Sequence, residues 1–250
     1  MRFGSRQFRP RLVPTLATLA LFPILVWLGI WQLHRADEKR AIENMYAQRA
    51  ARPPLHLGAQ IENAEQIHYR RVIATGRYDE VHQFLLDNKV YQGRAGYDVI
   101  TPLQLQDSHT WVLVNRGWIP QGNSREDLPD LETPAGTVTI TGLAEMPPAK
   151  GVFMGDQNRE NSGWPAVVLW LDLQHVAAQT GRVLQPVVVL QDPGDPGAFV
   201  RHWTLVVMPP EKSVSYAVQW FSMALALLII FVVVNLKRIE ETPGAESRRD

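Results

Sequence analysis

Seven histidines are the first side chains to test for chemistry: His34, His56, His68, His82, His109, His175 and His202. A helical metal pair needs two of them three or four residues apart, and a strand pair needs alternate positions. Neither spacing occurs. The 25 Asp and Glu residues are scattered, which reads as a solvated surface with a few capping acids. There is no glycine-rich phosphate loop, no H-E-x-x-H and no G-x-S-x-G elbow. The absence of Cys excludes disulfides and thiolate metal sites. No convergent acid–base set emerges, so the chain is expected not to be an enzyme.

The large aromatics are more informative. Trp27 and Trp31 stand beside Gln32 and Arg35, and Tyr216, Trp220 and Phe221 stand beside Gln219. Tyr216, Gln219, Trp220 and Met223 recur at helical spacing. One reading is an aromatic belt at a membrane interface. The other is a polar-rimmed aromatic slot, formed by two paired helices, for a flat hydrophobic ligand. The pattern fits both.

The elements that carry these residues are two long apolar runs. Leu12–Leu33 is 22 residues without a charge and Ser213–Leu236 is 24, and about 20 apolar residues span a bilayer core of roughly 30 Å as a helix. The first run is longer than a signal-peptide core and lacks a small-residue cleavage pattern after it, so it reads as an uncleaved anchor. The expected organisation is a leader over 1–11, a span over 12–33, a β-rich domain over 34–212, a span over 213–236 and a tail over 237–250. Leader and tail carry eight Lys and Arg, against seven on the loop side near the spans. That is nearly a tie, but the leader is purely basic and the loop is long enough to translocate regardless of charge. Both termini are expected to be cytoplasmic and the central domain periplasmic, in a multi-pass protein of the bacterial inner membrane.

Within the loop, strands are expected over Arg70–Tyr78, His82–Asn88, Gly96–Leu105, Thr110–Ile119, Gly136–Ala144, Gln185–Gln191 and His202–Val207. They are rich in Val, Ile, Thr and aromatics and bounded by turn residues. A helix is expected over Leu171–Gly181, with Asp172 as cap and Gly181 as stop. The first span should continue as a helix until "ARPP", where Pro53 and Pro54 end it. The polar segment "QGNSREDLPDLETPAG" is expected to be exposed. The fold class is a membrane protein with two transmembrane α-helices flanking a mainly antiparallel, β-rich (α+β) extracytoplasmic domain. A sandwich and an open barrel fit equally well.

Several stretches resemble the Surfeit-locus protein 1 family of cytochrome oxidase assembly factors. "LGIWQLHRADEK" is similar to the family's LGxWQLxRxxxK, and "GRYDEVHQFLLDNKVYQGRAGYDVITPLQL" to its G-[FY]-D…LLDN…G-x-x-G-Y-x-V-[LI]-T-P-L segment. "VLVNRGWIP" resembles one of its strands, "LDLQHVAAQTG" its short helix and "YAVQWFSMALALL" the start of its last span. The matches run in order from Leu28 to Leu228. The resemblance implies an assembly factor for cytochrome c oxidase that assists haem a insertion into the catalytic subunit. The alternative is a membrane-anchored periplasmic scaffold without haem binding. Implied partners are the oxidase catalytic subunit, other oxidase assembly or haem a synthesis proteins and membrane lipid, with no nucleic acid.

One departure stands out. Ser213 occupies the position, three before Tyr216, where the family commonly has a histidine proposed to ligate haem iron. A serine hydroxyl is a poor axial ligand, whereas a neutral imidazole is a good one. The residues expected at a haem site are Tyr216, Trp220, Trp31, Arg35, Lys212 and His202, with no certain metal ligand. Gly93 and Gly96 are expected to permit positive φ in a turn. Arg116 is expected to be a surface charge, or else an anchor for a haem propionate.

Overall fold

The computed structural model describes residues 2–3, 6–122, 128–147, 163–203 and 209–238. In chain order the elements begin β1 (Arg2–Phe3), β2 (Arg6–Phe8), α1 (Leu12–Ala50), β3 (Leu55–Leu57), α2 (Ala64–Ile67), β4 (Arg71–Tyr78), β5 (Phe84–Tyr91) and β6 (Arg94–Leu105). There follow β7 (Thr110–Pro120), β8 (Val138–Glu145), β9 (Ala166–Val168), α3 (Leu173–Thr180), β10 (Val183–Gln191), α4 (Pro210–Asn235) and β11 (Leu236–Arg238). The chain divides into two units, Met1–Glu43 with Val206–Asp250, and Asn44–Leu205.

In the first unit α1 and α4 are both long and apolar enough to cross a membrane. Their outer faces are exposed, while buried or half-buried residues form a stripe. On α1 it runs through Thr18, Phe22, Leu25, Gly29, Gln32, Ala36 and Lys39, and on α4 through Ser213, Ala217, Phe221 and Ala224. Steps of three and four residues keep one seam in contact, and small side chains let two backbones approach. A Cβ on Gly29 would lie 2.6 Å from the Phe221 ring. At one end of the pair Arg11 N donates to Asn235 Oδ1 at 2.7 Å; at the other Lys39 Nζ donates to Ser213 Oγ at 3.0 Å. The helices are therefore antiparallel, and β2 pairs with β11 where both chain ends meet. α4 starts three residues before the expected Ser213, with proline in its first turn, where a missing N–H costs nothing.

The second unit is built on a closed barrel, not a sandwich or an open barrel. Strands β4, β8, β10, β7 and β6 pair in sequence, and β4 pairs again with β6 to complete the ring. All ring pairings are antiparallel except β7 with β10. Outside the ring β5 forms a hairpin with β6, while β9 adds in parallel to β5 and β3 to β4. Alternate residues such as Val72, Ala74, Leu103, Leu105, Val112, Val114, Val187 and Val189 fill one core cluster. The opposite residues Ile100, Leu113 and Val188 join Phe84, Leu86 and Val176 of α3 in a second. Both faces of the middle strands are buried, so they read as near-continuous apolar runs.

α3 is capped as expected. Asp172 accepts from the N–H of Gln174 and His175, and Gly181 ends the helix in the left-handed region at φ 65°. Three expectations are corrected. Gly93 has the positive φ of a turn, but Gly96 is needed for close approach: a Cβ there would lie 2.2 Å from Ile119 O and 2.5 Å from the Trp118 ring. The segment 121–136 is not simply exposed, since Leu131 is buried against Leu85, Tyr97 and Val99. His202 and Trp203 belong to no strand, and the rest of the expected His202–Val207 strand lies outside the described residues.

Candidate functional site

In the helix pair the residue of most chemical interest is Ser213. It is only 4% exposed and faces α1, where its hydroxyl accepts the hydrogen bond from Lys39. Lys39 closes the stretch "LGIWQLHRADEK", ten residues past Gly29 on the same seam. The aliphatic stem of the lysine lies along the helix while its ammonium reaches a partner. That bond takes one of the two lone pairs on the serine oxygen. Nothing in this pair is an axial ligand for iron, and the residues at this position do not fit that role.

The other expected residues of this unit are mostly exposed. Tyr216 is 52% exposed and Trp220 half-buried at the rim of the seam, with Lys212 exposed at the start of α4. Trp31 is 50% exposed. It follows Gly29 by two residues, about 200° around the helix, and so turns away from the face that Gly29 presents to Phe221. Trp31 and Tyr216 are thus both exposed rings of the helix pair. Arg35 donates to Glu38 Oε2 at 2.7 Å in an exposed pair one turn apart.

His202 lies in the barrel unit, at a polar cluster on β5, β6 and β7. Its Nε2 is 3.4 Å from Asp98 Oδ1, and Lys89 Nζ is 3.7 Å from Asp98 Oδ2. Asn115 Nδ2 donates weakly to the same oxygen at 3.4 Å. Burial raises the Asp98 pKa, against the pull of His202 and Lys89. His202 Nδ1 and Trp118 Nε1 are buried without hydrogen-bond partners among the described residues. With one ring nitrogen turned to a carboxylate and the other enclosed, His202 is a packed residue of the domain. Asp98 was not singled out by sequence reasoning; nothing local marks it, since its partners come from β5, β7 and a distant loop.

Arg116 is the clearest correction. It is neither a surface charge nor open to a propionate, being 1% exposed. Nε donates to Gly197 O at 2.8 Å and Nη2 to Glu132 O at 2.6 Å. Nη1 is 3.3 Å from Gln83 Oε1, and the guanidinium lies over the rings of Phe199 and Tyr78 at 4.6 and 5.3 Å. Burial lowers its pKa. The β-barrel core, the segment at Glu132 and the turn at Gly197 are joined through this one side chain.

A β-barrel domain carried between two apolar helices, with no group of three or more His, Asp or Glu able to hold a metal among the described residues, defines a class of membrane-anchored α+β protein. The chain belongs to the SURF1 family, whose model matches residues 19–225. It is similar to a SURF1-like protein of Rickettsia bellii, with 26% identity over 248 residues that cover 93% of this chain and 94% of the relative. A SURF1-like protein of Monosiga brevicollis is 23% identical over 231 residues, covering 88% and 87%. Surfeit locus protein 1 of Takifugu rubripes is 23% identical over 240 residues, covering 89% and 97%.

Proposed function

We propose that this protein is a non-catalytic assembly factor for cytochrome c oxidase, acting where the catalytic subunit receives haem a. The observation that carries this reading is the family match over residues 19–225, which takes in most of both helices and the whole barrel. In this reading the protein sits in the bacterial inner membrane with both termini cytoplasmic and the barrel periplasmic. The antiparallel helix pair, whose two outer ends meet in β2 and β11, supports termini on one side, and the basic leader supports the cytoplasm.

Haem a enters this reading as cargo, not as a resident group. Ser213 accepts from Lys39, and the rings of Tyr216 and Trp31 are exposed. Such groups suit a passing contact with a flat apolar ring, with Lys212 and Arg35 near the propionates. The oxidase catalytic subunit and haem a synthesis proteins are then its partners. The Lys39–Ser213 bond also favours a second reading, a scaffold that contacts the oxidase and never touches haem.

Deletion of the gene tests the proposal: haem a in the catalytic subunit and oxidase activity should both fall. Normal oxidase in the deletion strain would sink it. The full chain purified from a haem a-producing host separates the two readings by its Soret band. Pigment that survives in Ser213→Ala but declines in Tyr216→Ala supports passing contact, whereas colourless protein supports the scaffold.

A further inference from the structure

α4 meets α1 through Ser213, Ala217, Phe221 and Ala224. About half a turn away around the helix runs a second stripe, Ser215, Gln219, Ser222, Ala226, Ile229 and Val233, and all of these are exposed. Their steps of four and three repeat every seven residues, the spacing that keeps two helices in contact along a left-handed seam. The first four are polar or small, the types that membrane helices use to pack closely and to hydrogen-bond across an interface. The outward side of α1 is different. Every exposed residue from Leu12 to Leu33 is aliphatic, proline or tryptophan, and Thr15 and Thr18 turn their hydroxyls back to carbonyls one turn earlier. Of the two spans, α4 is the one that turns an amide outward.

That amide, Gln219, has no hydrogen-bond partner among the described residues, and neither has the Ser222 hydroxyl. From Gln219 to Asn235 is about 24 Å of helix, so both side chains lie within an apolar core of roughly 30 Å. Water is scarce there, and an amide left unpaired is costly. A glutamine side chain both donates and accepts, so the same residue on a second chain satisfies it. Copies of one chain cross the membrane in the same sense, which sets α4 parallel to α4 about a two-fold axis, each stripe residue facing its counterpart. The charges agree. Lys212, three residues before Ser215, extends the stripe, and Glu211 precedes it; both are exposed and neither has an ion pair among the described residues. In a parallel pair the residue just before a seam position flanks that same position of the other helix, so each Lys212 meets Glu211 of the second copy. We propose that the Ser215–Val233 stripe of α4 is the interface at which two copies of this chain pair in the membrane, with Gln219 hydrogen-bonded to its counterpart. The inference needs α4 in a membrane but is independent of any role with the oxidase.

The natural sequence has no Cys, so single cysteines report the seam in the full chain reconstituted in phosphatidylcholine vesicles. On mild oxidation Ser222→Cys and Ala226→Cys should give about ten times the linked dimer of Leu228→Cys and Val232→Cys, because only facing residues come within disulfide range. Leu228 and Val232 are exposed as well, but on other sides of α4. Energy transfer between labelled copies, followed as lipid is added, gives the dimer affinity. Gln219→Leu should weaken it about tenfold, while Gln219→Asn should keep most of it. Lys212→Glu should also lower it, and the charge swap Glu211→Lys/Lys212→Glu should restore it. Equal cross-linking at all four positions, or full dimer affinity in Gln219→Leu, would overturn the proposal. So would a natural sequence that stays monomeric at every protein-to-lipid ratio, a result that leaves the stripe to a helix of another protein.

Discussion

Arg116 shows how a charge can be held inside a barrel domain with no carboxylate paired to it among the described residues. Its cost of desolvation is offset by two short bonds to carbonyl oxygens and by two aromatic faces. The planar fork matters, because the two carbonyls come from segments 65 residues apart, Glu132 and Gly197. Arg116→Ala should cost about 3 kcal/mol, from a cavity and two stranded acceptors. Arg116→Lys should recover only part of that, since an ammonium cannot reproduce the fork. Denaturant midpoints of the full chain, followed by tryptophan fluorescence, measure both; equal stability of the Lys variant and the natural sequence would refute the stitch. The Lys39–Ser213 bond is testable in the same way. A double-mutant cycle of Lys39→Met and Ser213→Ala should give a coupling of about 1 kcal/mol, and a coupling near zero would show that the bond contributes nothing. Neither the burial of Arg116 nor the partner of Ser213 was legible in sequence. A single arginine at a strand exit carries no mark of burial, and the partner of Ser213 lies 174 residues away.

Among the elements, closure of the barrel rests on β4, which leaves β8 for β6 at its end. Gly76 stands at the exchange, paired with Val138 on one side and Leu105 on the other. A Cβ there would lie 2.0 Å from Gln104 O, a backbone atom that cannot step aside. Glycine at such a corner allows the strand to bend and a second backbone to approach. Gly76→Ala should therefore open the β4–β6 seam, seen as faster amide exchange at Gly76–Tyr78 and Leu103–Leu105 than elsewhere in the ring. Unchanged exchange there would show that another contact closes the barrel. The sequence announced the long elements plainly: uncharged runs marked both helices, and Val, Ile, Thr and aromatic content between turn residues marked strands such as β4. It did not announce β3 and β9, because three residues are too few to display a period. Nor did it announce the parallel pairing of β7 with β10, which depends on partners distant along the chain. The ring itself follows from that pairing and from Gly76, so the sequence left a sandwich and an open barrel equally open.

At the scale of the whole molecule, the two units should respond differently to acid. The apolar spans contain no Asp, Glu or His, so protonation has nothing to change within them. The barrel unit depends on ionised carboxylates. Burial would raise the Asp79 pKa, but the N–H groups of His82 and Val81 and the side chains of Arg182 and His82 outweigh it and hold the group at about 2. Asp192 is also lowered: burial opposes the shift, and Arg71 and Thr141 produce it. A carboxylate whose folded pKa is below its unfolded value contributes stability that is fully present above about pH 4. That contribution disappears as the pH falls through the folded pKa. The β-sheet signal of the full chain in detergent should accordingly weaken between about pH 4 and pH 2 while the helical signal persists. Asp79→Asn should be less stable at neutral pH and show a shallower loss on acidification, because one of the groups that links folding to protons is gone. A β-sheet signal steady to pH 2, or an Asp79→Asn acid profile as steep as that of the natural sequence, would show that the Asp79–Arg182–His82 cluster does not support the domain.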